Sequence, residues 1–176
     1  MAQLKDSGER RQFGTGAVRD IQEGKGRCDL MPLDVVCKMF DEERFVVEPL
    51  KHIAKFIEDG DPSHLIAALL SEAESYGTIE NDKFKEHELG GEVADMLLNT
   101  SIHFEDGALK YGENNWQKGI PVHCYIDSAI RHYLKSIRGD EDEPHDRAFT
   151  WNLLCAAWTC EHIPELNDYL KGSKGK

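Results

Sequence analysis

No apolar run in the 176 residues is long enough to span a bilayer. The N-terminus has no apolar signal core, so neither membrane insertion nor secretion is expected. Cations are scarce: 21 Lys and Arg stand against 33 Asp and Glu, a net charge of −12. An acidic surface repels phosphate backbones and anionic headgroups, which argues against a nucleic-acid polymer or a membrane as partner. The five cysteines (Cys28, Cys37, Cys124, Cys155, Cys160) make an odd count without a CxxC pair. That leaves no disulfide framework or zinc motif and fits a reducing cytoplasm. Internal repeats and linker-like stretches are also missing, so one domain over residues 1–176 is expected.

What is present is mostly helical patterning. Residues 1–31 are the exception: rich in Gly and charge, they read as an ordered arm or a flexible tail. Its glycines allow sharp turns or close approach to a ligand, and Arg19, Lys25 and Arg27 concentrate positive charge there. From Pro32 onward apolar residues recur at helical spacing, first at Leu33, Val36, Met39 and Phe40. Pro49 opens a segment with Leu50, Ile53, Phe56 and Ile57 inward and Gly60 beyond its end. Asp61-Pro62 caps another, with Leu65, Ile66, Leu69, Leu70 and Ala73 on one face and Gly77 as its stop. A longer helix is expected over about 83–112, carrying Leu89, Val93, Met96, Leu97, Thr100, Phe104 and Ala108, with Glu88, Glu92, Asp95, Asn99 and His103 beside them. Pro121 starts a helix with Ile126, Ile130, Tyr133, Leu134 and Ile137 inward, ended by Gly139. Pro144 starts the last long one, with Ala148, Trp151, Cys155 and Trp158 inward. Only Val46-Val47 hints at extended chain, and residues 172–176 read as a tail. The expected fold is an all-α single-domain helical bundle.

Polar chemistry gathers between His103 and Asn152. Asp140 to Asp146 holds five carboxylates and a histidine in seven residues. Helix-start capping accounts for one or two of them; the rest repel unless cations are near. Oxygen-rich clusters favour Mg²⁺ or Mn²⁺, and added imidazole admits Mn²⁺, Co²⁺ or Fe²⁺, although a solvated acidic loop is the default for such a run. His132, on the preceding helix, forms an H…HD pattern with His145-Asp146, a spacing that chance also supplies. Arg131 either pairs with Asp127 four residues earlier or holds a phosphate through its planar fork. Lys110, Tyr111, Asn115 and Trp116 surround a helix end at Gly112. Their aromatics can stack on a base or simply pack between helices, and Asn115 can read a base edge or cap a turn. Asn152 flanks an apolar face and needs partners if buried. Glu105 borders the packing face of the long helix, where an isolated Glu is ordinarily a solvent-facing carboxylate.

Four segments in order, GAVRDIQEGKGRCDLMP, HFEDGALKYGENNWQKGIP, DSAIRHYL and GDEDEPHDRAFTWNLL, resemble the phage dATP/dGTP diphosphohydrolase family, the MazZ-type enzymes related to MazG. The resemblance runs from about Ser7 to Asn167. It implies a MazG-like, metal-dependent helical enzyme, acting as a homo-oligomer, that cleaves dGTP or dATP to the monophosphate and pyrophosphate. It also implies a role in supplying dGMP for 2-aminoadenine synthesis in the host cytoplasm. On that frame Glu105, His132, Asp142, Glu143, His145 and Asp146 are candidate ligands of Mg²⁺, Mn²⁺ or Co²⁺, with Glu105, Glu143 and His132 the candidate catalytic groups. Lys25, Arg27, Lys110 and Arg131 are candidates for the phosphates, and Tyr111, Asn115, Trp116 and Asn152 for sugar or base. One departure stands out. Glu92 and Asp95 supply the E-x-x-D half of the all-α pyrophosphohydrolase signature, but Glu72 and Glu74 have the wrong spacing for the E-x-x-E half. Two rivals remain: a His-Asp triphosphohydrolase built on His132, His145 and Asp146, and a non-enzymatic acidic interaction protein.

Overall fold

The computed structural model describes residues 10–21, 27–32, 35–37, 47–74 and 90–170. Lys25, the segment around Met39 and Phe40, Val46, Gly77, Glu88, Leu89 and the tail lie outside the described residues, so the expectations for them do too. The described chain is a helical bundle with one small hairpin. Strands β1 (Arg10–Gln12) and β2 (Val18–Asp20) pair antiparallel, with Arg10 opposite Asp20, Arg11 opposite Arg19 and Gln12 opposite Val18. Helices follow as α1 (Glu48–Asp59), α2 (Ser63–Ala73), α3 (Gly90–Tyr111), α4 (Val122–Arg138) and α5 (His145–His162). Short 3-10 turns lie at Cys28–Leu30, Asn115–Lys118 and Pro164–Leu166. No helix among the described residues is long and apolar enough to cross a membrane.

The all-α expectation holds for the bundle. Extended chain, however, falls in the arm rather than at Val47, which precedes α1 with φ −126° and ψ 42°. The reason is compositional: three-residue strands rich in Arg carry no apolar alternation to betray them. Helix ends follow the glycines, since Gly60, Gly112 and Gly139 all adopt positive φ after the last helical residue. Pro121 and Pro144 stand one residue before their helices, at the N-cap, rather than inside them.

The core forms where α4 and α5 pack most extensively against each other. Ile126, Ala129 and Ile130 from α4 and Phe149, Leu153, Cys155 and Ala156 from α5 are buried together with Leu50, Ile53, Phe56, Leu65, Leu69 and Met96. Truncating a fully buried aromatic such as Phe149 to Ala would cost about 3–5 kcal/mol through lost contact and a residual void. The periodic faces are not wholly inward. Ile66, Leu70, Leu97 and Ile137 stay 40–49 % exposed, and Leu98 and Leu109 are more open still.

Gly60 locks the two ends of the described bundle together. Its carbonyl accepts from the buried Asn167 amide at 2.9 Å. A Cβ on it would lie 2.7 Å from the Leu170 backbone nitrogen. Gly139 shares the left-handed conformation, with nothing within 4 Å of such a Cβ. Gly139→Ala should therefore lose only about 1 kcal/mol, the cost of αL for a residue with a Cβ. Gly60→Ala should lose clearly more, because the Leu170 backbone must also move. Urea midpoints of the two variants provide the measurement; equal losses would remove the close-approach argument.

Candidate active site

The hairpin, the C-terminal half of α3, and the facing sides of α4 and α5 enclose a cavity of about 640 Å³, within the range of small-molecule sites. Its wall mixes Arg11, Arg19, Lys110, Arg131 and Lys135 with Asp20, Asp127, Asp142 and Glu143, and adds His103, His132, Trp151 and Asn152. Four buried polar atoms without a partner, Arg11 Nε, Arg19 Nη1, His103 Nδ1 and Trp151 Nε1, belong to residues of this wall. Only four others, among the described residues, share that condition. Buried donors are normally satisfied, so the concentration marks a place suited to a polar ligand.

At one end of the cavity three donor atoms converge. His132 Nδ1 lies 3.0 Å from His145 Nδ1, and Glu143 Oε1 lies 3.7 and 3.8 Å from the two nitrogens. Those edges leave a point about 2.0 Å from all three atoms, the length of a bond from zinc or magnesium to nitrogen or oxygen. On its far side His145 Nε2 is 2.9 Å from Asp142 Oδ1. A carboxylate accepts only, so Nε2 carries a proton, and in the neutral ring Nδ1 presents its lone pair to the cluster. This is the carboxylate–histidine arrangement that orients metal ligands. Burial, followed by the nearby His145, pushes His132 well below its ordinary range, so His132 is neutral and able to ligate. Asp140, Asp142 and His145 form a second group of suitable spacing. There Asp140 is engaged by the Arg138 guanidinium, Nε at 2.7 Å, and His145 offers its protonated nitrogen. The first group is the better fit for a divalent cation. Lys135 sits 3.3 Å from Asp142 and 3.9 Å from Glu143, balancing the two carboxylates.

Asp146 and Glu105 stand apart from this convergence. Successive helical residues project about 100° apart, so Asp146 turns from the His145 side and accepts from Asn99 Nδ2 at 3.0 Å. It also lies near Glu72, which burial and then Asp146 raise to about 7. Glu105 is exposed and lines a smaller cavity of about 310 Å³ with Trp116. Neither residue belongs to a metal-capable group among the described residues. Glu92 and Asp95 line neither cavity.

Several substrate-binding candidates turn out to hold the hairpin. Asn115 is 6 % exposed; its Oδ1 accepts from Val18 N at 3.0 Å and its Nδ2 donates to Val18 O at 2.8 Å. Both faces of its amide are thus used by backbone. Asp20 accepts from Lys110 Nζ at 3.0 Å and Tyr111 OH at 2.8 Å. Trp116 packs edge-on against Phe104 and Trp158. Arg131 pairs with Asp127, whose other oxygen accepts from Cys28 N at 2.5 Å. Arg27 pairs with Asp29 and does not line the larger cavity.

Arg19 is the residue that sequence reasoning passed over. It reaches from β2 to Asn152 Oδ1 at 2.6 Å and Ser128 Oγ at 3.0 Å. Its guanidinium lies over the Tyr125 and Trp151 rings, 5.0 and 5.9 Å from their centroids. No carboxylate among the described residues pairs with it. A signal did exist: Arg19 was one of the arm's three clustered cations.

The model of the dATP/dGTP diphosphohydrolase N-terminal domain matches residues 74–169, more than half of the chain. The chain belongs to the dATP/dGTP diphosphohydrolase family. It is therefore an enzyme of the nucleoside triphosphate pyrophosphohydrolase kind, and the interaction-protein reading is set aside. No curated protein and no solved structure matches it. The matched segment contains α3, α4, α5 and the converging donors; the hairpin that delivers Arg19 precedes it.

His103 joins His132 as a histidine kept neutral. Burial first, then Arg147 and Arg19, lower it to about 4. In the unfolded chain such a group takes up its proton near pH 6.5, in the folded chain only near 4. Stability should thus fall as pH drops from about 6.5 towards 4 and be unaffected by this residue above that window. Urea midpoints across the window should show a shallower slope for His103→Gln than for the unsubstituted protein; parallel slopes would remove His103 as a source.

Proposed function

We propose that the larger cavity binds a purine deoxynucleoside triphosphate, dGTP or dATP, with a divalent cation, and hydrolyses it to the monophosphate and pyrophosphate. The observation that carries this reading is the convergence of His132, Glu143 and His145 at the edge of a cavity that His132 and Glu143 line together with several cations. Those three side chains would hold Mg²⁺, Mn²⁺ or Co²⁺, with Asp142 orienting His145. A bound cation supplies charge neutralisation for the triphosphate and lowers the pKa of water.

The chain's own groups do the rest. Arg131, Lys110, Lys135 and Arg19 offset the negative charge of the phosphates. Glu143 takes a proton from the attacking water. A bond forms from that oxygen to the α-phosphorus as the bond to the bridging oxygen breaks, and pyrophosphate leaves. Trp151 and Asn152 border the space for sugar and base. Asn115, Tyr111 and Asp20 act on the substrate through the hairpin they fix. Trp116 and Glu105, in the neighbouring cavity, are assigned no contact with the reacting atoms; Lys25 and Arg27 keep only the role of supporting cations on the arm. Asp146, turned towards Asn99, speaks against the rival that removes the whole triphosphate.

A single-domain, MazG-related phage enzyme in the host cytoplasm would supply dGMP for 2-aminoadenine nucleotide synthesis and remove competing dATP. Exposed Ile66, Leu70, Leu97 and Leu98 support a homo-oligomer, since burying them removes apolar surface from water; analytical ultracentrifugation reads that directly.

Incubation with each dNTP, with and without Mg²⁺, Mn²⁺ or Co²⁺, followed by chromatography, tests the reaction. Metal-dependent dGMP or dAMP plus pyrophosphate is the expected result, whereas deoxynucleoside plus triphosphate would overturn it. Glu143→Gln should lower kcat by about 10²-fold or more, the scale of losing a general base. Arg19→Gln should raise KM about tenfold or more, the worth of a charge-assisted hydrogen bond. An unchanged KM would take Arg19 out of the site.

A further inference from the structure

A second constellation of reactive groups opens on the same cavity and takes no part in the hydrolysis. Cys124 lies in the first turn of α4, 3 % exposed, and lines the cavity. Its sulfur accepts from Arg11 Nη2 at 2.8 Å. On its other side His123 Nε2 is 3.3 Å away. His123 Nδ1 is in turn 2.8 Å from Asp168 Oδ2, which also accepts from the His123 backbone N–H at 3.1 Å. Cysteine, histidine and carboxylate thus form a chain that runs from cavity wall to surface, with a guanidinium across from the sulfur. The Asp168 contact first, and the sulfur second, raise His123 to about 10, so Nε2 donates at neutral pH. Two cationic donors and the first turn of a helix around one sulfur are the surroundings in which cysteines become nucleophilic.

The other thiols contrast with it. Burial pushes Cys155 up strongly, Cys160 up to about 12, and Cys28 up as well. Cys37 is buried. None of these four lines either cavity.

We propose that Cys124 is a modification site: a cavity thiol, poised by His123, Asp168 and Arg11, that reacts with small electrophiles and peroxides entering the cavity. With a peroxide, Sγ bonds to one oxygen as the O–O bond breaks. The other oxygen leaves as water, taking the thiol proton by way of His123. Sulfur loses two electrons and the peroxide gains them, giving a sulfenic acid. Added atoms on Sγ occupy the place of the Arg11 contact. Arg11 is the cross-strand neighbour of Arg19, so modification disturbs the hairpin that carries Arg19 and reduces substrate binding.

The test is limited alkylation of the folded full-length protein with iodoacetamide, followed by peptide mass mapping. Cys124 should be labelled about tenfold or more faster than Cys28, Cys37, Cys155 and Cys160, the effect expected of a cavity-facing sulfur between an imidazole and a guanidinium. His123→Gln should slow labelling at Cys124 by a similar factor and leave Cys28 unchanged. Faster labelling at Cys28, or a Cys124 rate indifferent to His123→Gln, would overturn the proposal. Both results are read from mass alone, so they stand apart from whether the protein hydrolyses dNTPs. Hydrogen peroxide should in addition cause, in the unsubstituted protein but not in Cys124→Ser, a loss of turnover that dithiothreitol restores; equal inactivation of the two would reject this thiol as the point of control.

Discussion

The side-chain amide of Asn115 takes the place of a β-strand. By giving one bond to Val18 and receiving another from it, it continues the hairpin ladder into the turn between α3 and α4. The hairpin has little else to hold it by apolar means: Ala17 is fully buried and Phe13 only partly. The clamp, with the Asp20 contacts to Lys110 and Tyr111, fixes where β2 runs and hence where Arg19 points. Without it the larger cavity loses a wall and a cation that has no carboxylate partner among the described residues.

The hairpin register carries a cost that makes this arrangement informative. Arg11 and Arg19 face each other across the strands, and like charges directly opposite are destabilising. Each guanidinium is instead taken up by the helices, Arg19 by Asn152 and Ser128, Arg11 by Cys124. A ligand with negative charge would relieve the pair further. The metal-capable cluster is built by different means. It relies on α4 and α5 folding back through Asp140–Pro144, which brings His132 opposite His145. The two parts of the cavity therefore rest on separate structural supports, one local to the most buried helix pair and one delivered from far along the chain.

The helices were legible because apolar residues at a period near 3.6 and glycines at positive φ are local signals, as at Ile126, Ile130, Gly60 and Gly139. The hairpin was not, because Arg10–Gln12 and Val18–Asp20 are three-residue strands without apolar alternation, and the contacts that anchor them come from roughly a hundred residues away, such as Asn115 at a separation of 97. His132, Glu143 and His145 could be named from composition, yet nothing in the string says which nitrogen faces which oxygen. Asp146 and Glu105 show the converse limit. Adjacency to a histidine, or a place beside a packing face, does not decide direction, because one step along a helix turns a side chain by about 100°. Arg19 was visible as a charge and invisible as a contact, since its neighbours Asn152 and Ser128 come from α5 and α4.

The Gly60–Asn167 lock has a consequence for how the chain is made. It joins positions 107 residues apart, and loop-closure entropy rises with the length closed. Contacts of such separation form late, after local helix pairs. During synthesis α1 and α2 emerge before the later helices and can pair as a hairpin of helices, but the Tyr169 ring that meets Phe56 edge-on follows only after α3, α4 and α5 have been made. Until then the inner faces of the first helices wait uncovered, in the condition that exposes nascent chains to aggregation. The turn that carries Asn167 and Tyr169 thus covers those faces, and the close approach around Gly60 is where so short a segment seats.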